Sequence, residues 1–473
     1  MFQYDFSNHQ NRHIRIMDMP AEYFQRIQET TRKDPYYPVW HIAPKCGLMN
    51  DPNGLCEING IHHIFYQWFP AGPVHGLKHW YHLTTKDFIH YEDHGVAMYP
   101  DTESDSYGCY TGMALKEGEK VHVFYTGIEN EEMIPCTCYA RFDGEKLTDR
   151  KKIVEMDPDQ TTMNYRDPYV WKRDSEYWML TGAESKEHEG ILMLYSGKQA
   201  DSYEYAGRVR LLQNGQEAML GYMLECPNYY EENQKGVLFC SPMGISSENK
   251  YDYKNVFSVV YMIGKPLDTE RKEFQFSEMY ELDKGFDFYA PQAFCHEGRN
   301  ILLGWMGMPD ADYTNPTVEY GWQHCLTLPR VLTQDGNGCL LQAPAAELNA
   351  LRGEARQPAD GETVETDPCF DLTASPAGDF VLTIANGLTL TYTEADRTCT
   401  LRFTDAAIAA GRTERKAVLD APCRSLRVVG DASSLEIFLN DGAAVLSTRY
   451  YPAAGKVAVQ LCGAGSTLYS LSI

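Results

Sequence analysis

Ile64-Phe-Tyr-Gln67, Val123-Phe-Tyr-Thr-Gly127, Trp178-Met-Leu-Thr-Gly182, Leu238-Phe-Cys-Ser-Pro242 and Leu302-Leu-Gly-Trp-Met306 are five versions of one apolar strand closing on small or aromatic residues. Their starts lie 55–64 residues apart. Self-similarity at such a period, with turn-rich connections, marks a repeat architecture whose unit is a small sheet. Five units predict a five-bladed β-propeller with its blades around a central channel. The units of a solenoid are shorter and more regular.

A polar motif precedes each strand by 11–15 residues. In chain order the motifs are Asn50-Asp51-Pro52-Asn53-Gly54, Cys109-Tyr110-Thr111-Gly112, Arg166-Asp167-Pro168, Glu225-Cys226-Pro227 and Asp287-Phe288-Tyr289-Ala290-Pro291-Gln292. Asp-Pro and Asn-Gly alone are ordinary turn dipeptides. Their phase with the repeat carries the argument, because equivalent positions in consecutive blades meet at one mouth of the channel. Asp51, Asp167 and Glu225 are the three candidate carboxylates, and a fourth, Asp287, opens the last motif. Carboxylates gathered in one pit repel each other unless chemistry needs them there. Paired carboxylates are the equipment of glycoside hydrolysis, which passes through an oxocarbenium-like transition state. Trp40, Tyr66, Trp68, Trp80, Tyr289 and Trp305 suit a sugar site, and equally the packing of a propeller.

The chain has 473 residues, with 42 Lys plus Arg against 66 Asp plus Glu and a net charge of −24. That length favours two domains over one. With 43% apolar and 12% aromatic residues, a disordered chain is excluded. The acidic balance excludes a nucleic-acid partner, whose phosphates require clustered Lys and Arg. No run approaches the roughly 18 apolar residues of a membrane span. Met1-Phe-Gln-Tyr-Asp-Phe6 has neither the basic start nor the apolar stretch of a secretory signal. The 14 cysteines include no C-x-x-C pair, Cys136 and Cys138 being the closest. Free cysteines in a reducing cytoplasm are the expectation, with no cofactor. His75, His79 and His82 have the spacing of ligands on a helix, but Gly72, Pro73 and Gly76 predict a loop running into a strand. The Glu of an H-E-x-x-H motif is also absent, so no metal is expected.

All seven tryptophans lie between Trp40 and Trp322, and no histidine follows His324. The composition shift predicts an N-terminal arm with a short helix over 1–33, the propeller over 34–335, and a linker over 336–358. The linker carries a short helix in Pro344-Ala-Ala-Glu-Leu-Asn-Ala-Leu-Arg-Gly353. Phe380-Val-Leu-Thr-Ile384, Leu388-Thr-Leu-Thr-Tyr392 and Leu435-Glu-Ile-Phe-Leu439 read as strands. The last of these meets the hairpin signal Asn440-Asp441-Gly442, so residues 359–473 are expected to form a β-sandwich.

Along nearly its full length the chain resembles glycoside hydrolase family 32, the invertase and β-fructofuranosidase group. The matching stretches are Trp40-His-Ile-Ala-Pro44, Met49-Asn-Asp-Pro-Asn-Gly54, Phe65-Tyr-Gln67, Tyr110-Thr-Gly112, Arg166-Asp-Pro168, Glu225-Cys-Pro227 and Asp287-Phe-Tyr-Ala-Pro-Gln292. Ser433-Ser-Leu-Glu-Ile-Phe-Leu-Asn-Asp-Gly442 and Arg449-Tyr-Tyr-Pro452 are similar to the family's C-terminal sandwich. Leu282-Asp-Lys-Gly-Phe-Asp287 and Gly321-Trp-Gln-His-Cys-Leu-Thr-Leu-Pro-Arg330 look most like the bacterial sucrose-6-phosphate hydrolases of that family, which are cytoplasmic.

The resemblance implies a retaining β-fructofuranosidase acting on sucrose 6-phosphate, sucrose or both through a covalent fructosyl-enzyme. It makes Asp51 the nucleophile, Glu225 the acid/base and Asp167 the transition-state stabiliser. Asn50, Gln67, Tyr110 and Thr111 match sugar-binding positions, and Arg166 joins Asp167 in clamping fructosyl hydroxyls. Tyr289 and Trp305 add aromatic walls, while Asp287 is open to a purely structural role. On chemical grounds Asp51, among the donors of a tight turn, is expected to stay ionised. Glu225, beside Cys226, Pro227 and tyrosines, is expected to keep its proton. Many relatives have tryptophan where this chain has Leu48 and His75, which alters the walls around the substrate. His75, Lys78, Lys45 and Lys284 are the cations expected to reach over the channel toward a substrate phosphate. An exo-acting fructan hydrolase, a fructosyl transferase and, from another class, a non-catalytic sugar-binding propeller remain alternatives.

Overall fold

The computed structural model describes residues 4–247, 250–336, 338–453 and 455–473. The repeated strand is the second of a four-stranded antiparallel set that recurs five times, labelled sheets I to V below, and the polar motif lies on or at the start of the first strand. Sheets III and IV are continuous, because Ser202–Gln213 pairs in parallel with Glu273–Glu281 to give nine strands, and short strands Trp322–Gln323 and Cys325–Leu326 extend sheets I and V. Sheet I comprises Gly47–Ile58, Ile61–Phe69, His79–Thr85 and Tyr91–Met98, and sheet II comprises Gly108–Glu117, Lys120–Ile128, Pro135–Phe142 and Leu147–Glu155. Sheet III comprises Thr161–Arg173, Glu176–Ser185, Gly190–Gln199 and Ser202–Gln213. Sheet IV comprises Met223–Glu232, Lys235–Met243, Val260–Gly264 and Glu273–Glu281, and sheet V comprises Tyr289–His296, Arg299–Met306, Arg330–Gln334 and Leu340–Pro344.

Each first strand slips register at its motif. Met49 and Pro52 pair with Trp68 and Tyr66, so three steps on one strand face two on the other. The same one-residue excess separates Cys109 from Gly112, Arg166 from Tyr169, Glu225 from Asn228 and Tyr289 from Gln292. These are β-bulges, which free residues from the ladder and re-aim their side chains. The freed pairs are Asn50-Asp51, Tyr110-Thr111, Asp167-Pro168, Cys226-Pro227 and Ala290-Pro291. Proline is tolerated at a bulge because no ladder N–H is lost there. Asp167, Cys226 and Ala290, the first of each pair in sheets III to V, have φ of 67°, 47° and 43°.

Hydrogen bonds at the bulges tie the sheets to one another. Gly112 N–H donates to Asn53 Oδ1 at 3.1 Å, joining sheets I and II. Asp167 N–H donates to Thr126 Oγ1 at 2.8 Å, joining II and III, and Cys226 N–H to Asp167 Oδ2 at 2.9 Å, joining III and IV. Asn228 Nδ2 reaches Pro291 O at 3.1 Å, and Leu55 N–H donates to Gln292 Oε1 at 3.0 Å, which returns from sheet V to sheet I.

After the short 3-10 turn Ala346–Leu351, the chain builds two six-stranded sheets. One core cluster holds Phe370, Leu372, Val428 and Ile437 of the first sheet with Leu382, Leu390, Leu401 and Val459 of the second. The expected hairpin joins Ser434–Leu439 to Ala444–Arg449, with Asn440 and Asp441 at positive φ. Gly442 at its tip accepts from Gln342 N–H of sheet V at 3.1 Å, where a Cβ would collide with Gln342 O. Near the N-terminus, helix Ala21–Thr31 buries Tyr23, Ile27 and Thr31, one face at a spacing of four. Among the described residues no helix is long and apolar enough to cross a membrane.

Buried charges lock the two halves together. His41 bonds Asp431 Oδ2 through Nδ1 at 2.8 Å and Glu436 Oε1 through Nε2 at 3.1 Å. Arg330 donates to Glu436 at 2.6 Å and to Asp283 at 3.1 Å. Asp287, in the fifth motif, takes two bonds of 2.7 Å from Arg412 and one of 2.8 Å from Arg449 N–H, so its role is to hold the halves together. Burial opposes charge on His41, but hydrogen bonds and the charges of Asp431 and Glu436 outweigh it and raise its pKa. Burial likewise opposes charge on Asp431 and Glu436, yet His41 and backbone N–H groups hold Asp431, and Arg330 with His41 holds Glu436, below the usual carboxylate range.

The His41 contribution is therefore complete below its unfolded pKa of about 6.5 and fades as pH rises through the higher folded value. The carboxylate contribution is complete above about 4 and fades as pH falls below it. Thermal unfolding of the intact chain should be most resistant between these limits. His41→Gln should lose about 3–5 kcal/mol near pH 6, where a charge is removed from a buried pair, and should flatten the alkaline decline in Tm. An unchanged alkaline decline in that variant would contradict the assignment.

Candidate active site

The five bulges bring their freed side chains together. Asp51 is buried and accepts from Asn50 Nδ2 at 3.1 Å, from Gln67 Nε2 at 3.3 Å and from the Thr111 hydroxyl. Gln67 also bonds Thr111. The Cys226 thiol lies 3.5 Å from Asp167 Oδ2 and 3.8 Å from Asp51 Oδ2, between the two carboxylates. Glu225 Oε1 is held by Arg166 Nε and Nη2, both at 2.8 Å, and Oε2 by the Tyr289 hydroxyl at 2.5 Å. Tyr289 packs edge-on to Trp305 at 6.2 Å, and Trp305 edge-on to His75 at 5.8 Å.

Burial raises the pKa of Asp51, aided by the charge of Glu225 and opposed by Thr111, Asn50 and Lys78. Burial pushes Asp167 up to about 7; Arg166 opposes the shift, and the charges of Glu225 and Asp51 add to it. The three carboxylates thus sense one another, as convergence requires. An ionised Asp51 was the sequence expectation. Its hydrogen-bond donors are present, but burial works against them. Glu225 was expected in apolar surroundings and instead sits in the grip of Arg166 and Tyr289.

Other sequence-derived sites fall into place unevenly. Tyr110 is partly exposed at the second bulge, close enough for the Arg166 charge to act on its hydroxyl. Leu48 is fully buried, paired with Phe69 and Gln323, so it forms part of the wall beneath the bulge. Of the aromatics, Trp80 supports the site by donating to Tyr110 O at 3.0 Å. Tyr66 and Trp68 belong to the core of sheet I, and Trp40 packs with Leu348, Val429 and Phe438 at the junction of the two halves. His79 and His82 lie on strand His79–Thr85, as the loop-to-strand expectation required. Among the described residues no group of three or more potential ligands is arranged to hold a metal ion.

The cationic rim is corrected. Lys45 pairs with Asp93 at 2.7 Å, and Lys284 with Glu281 at 2.8 Å and Asp252 at 2.9 Å. In so acidic a protein, exposed lysines find carboxylates nearby. Lys78 is not at the rim: it is only 4% exposed and donates to Asn50 Oδ1 at 2.6 Å, with His75 Nδ1 3.0 Å away. Alternation could not have revealed this, since every residue of the strand that follows, His79–Thr85, is buried on either face. Sequence reading also missed Asn164, whose Oδ1 accepts from Arg166 at 2.8 Å while its amide donates to Glu184 at 2.6 Å. No motif marks that pair; only the fold brings Glu184 to it.

A carboxylate whose folded pKa lies above its unfolded one stabilises least at high pH. The deficit from Asp167 is absent below about 4 and grows as pH rises toward 7. Asp167→Asn keeps the size and tolerates the left-handed backbone. It should raise Tm at pH 8 more than at pH 4 while lowering activity. A lower Tm at pH 8 would contradict the charge crowding described here.

The family model of the glycosyl hydrolases family 32 N-terminal domain matches residues 41–344, and that of the family 32 C-terminal domain matches residues 342–473. A sucrose-6-phosphate hydrolase of Vibrio alginolyticus is 38% identical over 453 residues, covering 93% of this chain and 92% of the relative. The solved sucrose-6-phosphate hydrolase of Lactobacillus gasseri superposes with a TM-score of 0.91 at 28% identity, covering 98% of this chain and 99% of that one. A Bombyx mori family 32 β-fructofuranosidase variant solved with sucrose superposes at 0.82 and 25% identity, covering 99% of each chain. The chain belongs to glycoside hydrolase family 32 and is a glycoside hydrolase.

Proposed function

We propose that this enzyme is a retaining β-fructofuranosidase that hydrolyses the fructosyl bond of sucrose 6-phosphate, and of sucrose less well, through a covalent fructosyl-enzyme. The observation that carries the reading is the convergence of Asp51, Asp167 and Glu225, from three strands far apart in the chain, in one site. The sucrose-6-phosphate hydrolases among the relatives support the choice of substrate. In the same reading sheets I to V are the blades of a propeller, and the two six-stranded sheets form a C-terminal sandwich. The inter-sheet bonds from I through V and back to I support it. In this reading the propeller runs from 34 to Pro344, whose strand completes sheet V, rather than ending at 335, and the sandwich begins at Arg352, whose strand joins the first six-stranded sheet, rather than at 359; the turn Ala346–Leu351 is the linker and 1–33 the arm.

Asp51 attacks the anomeric carbon C2 as Glu225 gives its proton to the leaving oxygen. Water, deprotonated by Glu225, then releases fructose from Asp51. Three carboxylates facing two cations, Arg166 and Lys78, leave one excess negative charge, and a single proton shared in the cluster removes it. Acid catalysis needs that proton on Glu225 when the leaving oxygen arrives. Asp167 and Arg166 bond fructosyl hydroxyls, and these bonds tighten as the ring flattens. Asn50, Gln67, Thr111 and Tyr110 surround the sugar, with Tyr289, Trp305, Leu48 and His75 as its walls.

Asp51→Asn should cost at least about 10³ in kcat with folding intact, because no covalent intermediate forms. Near-normal turnover would remove Asp51 from the mechanism. With Lys45, Lys78 and Lys284 engaged elsewhere, exposed His75 is the donor left for a phosphate oxygen, and a hydrogen bond to a charged group contributes roughly 1.5–3 kcal/mol, so kcat/KM should favour sucrose 6-phosphate over sucrose by about tenfold or more. Equal values would place the enzyme with plain invertases or exo-fructanases. NMR of the first product should show β-fructofuranose; initial release of the α anomer would mean inversion.

A further inference from the structure

We propose that Lys78 is a positioning residue that fixes the hydrogen-bond direction of two groups at the site, Asn50 and His75. Its ammonium has three donors and no acceptor. An asparagine amide can point either way, and its neighbours decide which. With Lys78 Nζ at 2.6 Å, the Asn50 oxygen must face the lysine, and the Asn50 NH₂ then faces Asp51 Oδ1 at 3.1 Å. In that orientation Asn50 can only donate to Asp51, so the ionised carboxylate is favoured over the acid.

The same ammonium sets the histidine. Lys78 Nζ lies 3.0 Å from His75 Nδ1, which must accept, so the ring proton of the neutral imidazole resides on Nε2. His75 is exposed as a residue, yet burial around its ring and then the Lys78 charge hold its pKa well below the usual histidine value. It therefore offers substrate a neutral N–H donor, suited to a hydroxyl or phosphate oxygen. The charged and titratable groups that face this pair are Asp51 on Lys78, and Lys78, Arg12 and the buried His324 on His75.

A lysine buried to this degree is costly without a task, since an apolar side chain of similar length would fill the space. Burial drives its pKa down to about 7, against the pull of Asp51. Its charge adds directly to the ionisation of Asp51, from which it is separated by one amide. This second effect rests on the reading of Asp51 as nucleophile, whereas the histidine tautomer does not.

The test is long-range ¹H–¹⁵N correlation of ¹⁵N-histidine-labelled enzyme at pH 6, with the His75 signals identified by their loss in His75→Gln. The expected result is one neutral tautomer protonated on Nε2. Lys78→Met should convert it to a mixture of tautomers or to the Nδ1–H form. It should also lower kcat/KM about 10- to 100-fold and move the acid limb of its pH profile to higher pH. A wild-type His75 protonated on Nδ1 would overturn the proposal, and that result does not depend on Lys78→Met folding. So would a Lys78→Met enzyme with an unchanged tautomer and acid limb. Activity in Asp51→Asn would instead sink the nucleophile assignment and leave the tautomer result standing.

Discussion

One extra residue in the first strand of each of five sheets is the constraint on which the site depends. A strand without a bulge alternates its side chains and spends every N–H on the ladder. The bulges break both rules at the same level in all five sheets, so freed backbone and side-chain groups bond across to the neighbouring sheet. Asp167 illustrates the double use: its N–H is anchored on sheet II, while its carboxylate accepts the N–H of Cys226 on sheet IV. The bonds that close the sheets upon one another are thus the bonds that position the carboxylates.

That arrangement concentrates negative charge where solvent cannot screen it. Burial and mutual repulsion raise Asp51 and Asp167, and the compensating cations come from close by: Arg166 on Glu225, Lys78 behind Asn50. Charge crowding at the site is bought with stability elsewhere, in the apolar cores and in the buried ion pairs that join the halves. Asp287 belongs to the second account although its motif is in phase with the first. Its carboxylate faces Arg412 of the C-terminal half, while Tyr289, two residues on, faces Glu225.

The period of the repeat and the phase of the polar motifs were legible in the sequence because both follow from local rules. Asp-Pro, Cys-Pro and Ala-Pro inside strands are conspicuous, since proline fits a strand only where a ladder bond is missing. Asp51, Asp167 and Glu225 could be named from those motifs alone. What remained hidden depends on distance through space. Lys78 looked like a surface cation in a loop, and its burial follows from packing under Asn50. Trp40 looked like a sugar platform but fills the seam between halves that no local pattern locates. Asp93, Asp252 and Glu281 neutralise Lys45 and Lys284, which net charge foretells in general but not in detail.

The central claim is that Asp51 forms a bond to fructose while Glu225 manages protons. It is tested most directly by trapping the bond. Glu225→Gln, given a fructoside with a leaving group that needs no protonation, should form the fructosyl-enzyme and then stall, because no base activates water. Mass spectrometry of the quenched protein should find one added fructosyl unit, and peptide mapping should place it on Asp51. A label on another residue, or release of the leaving group with no label at all, would contradict the account.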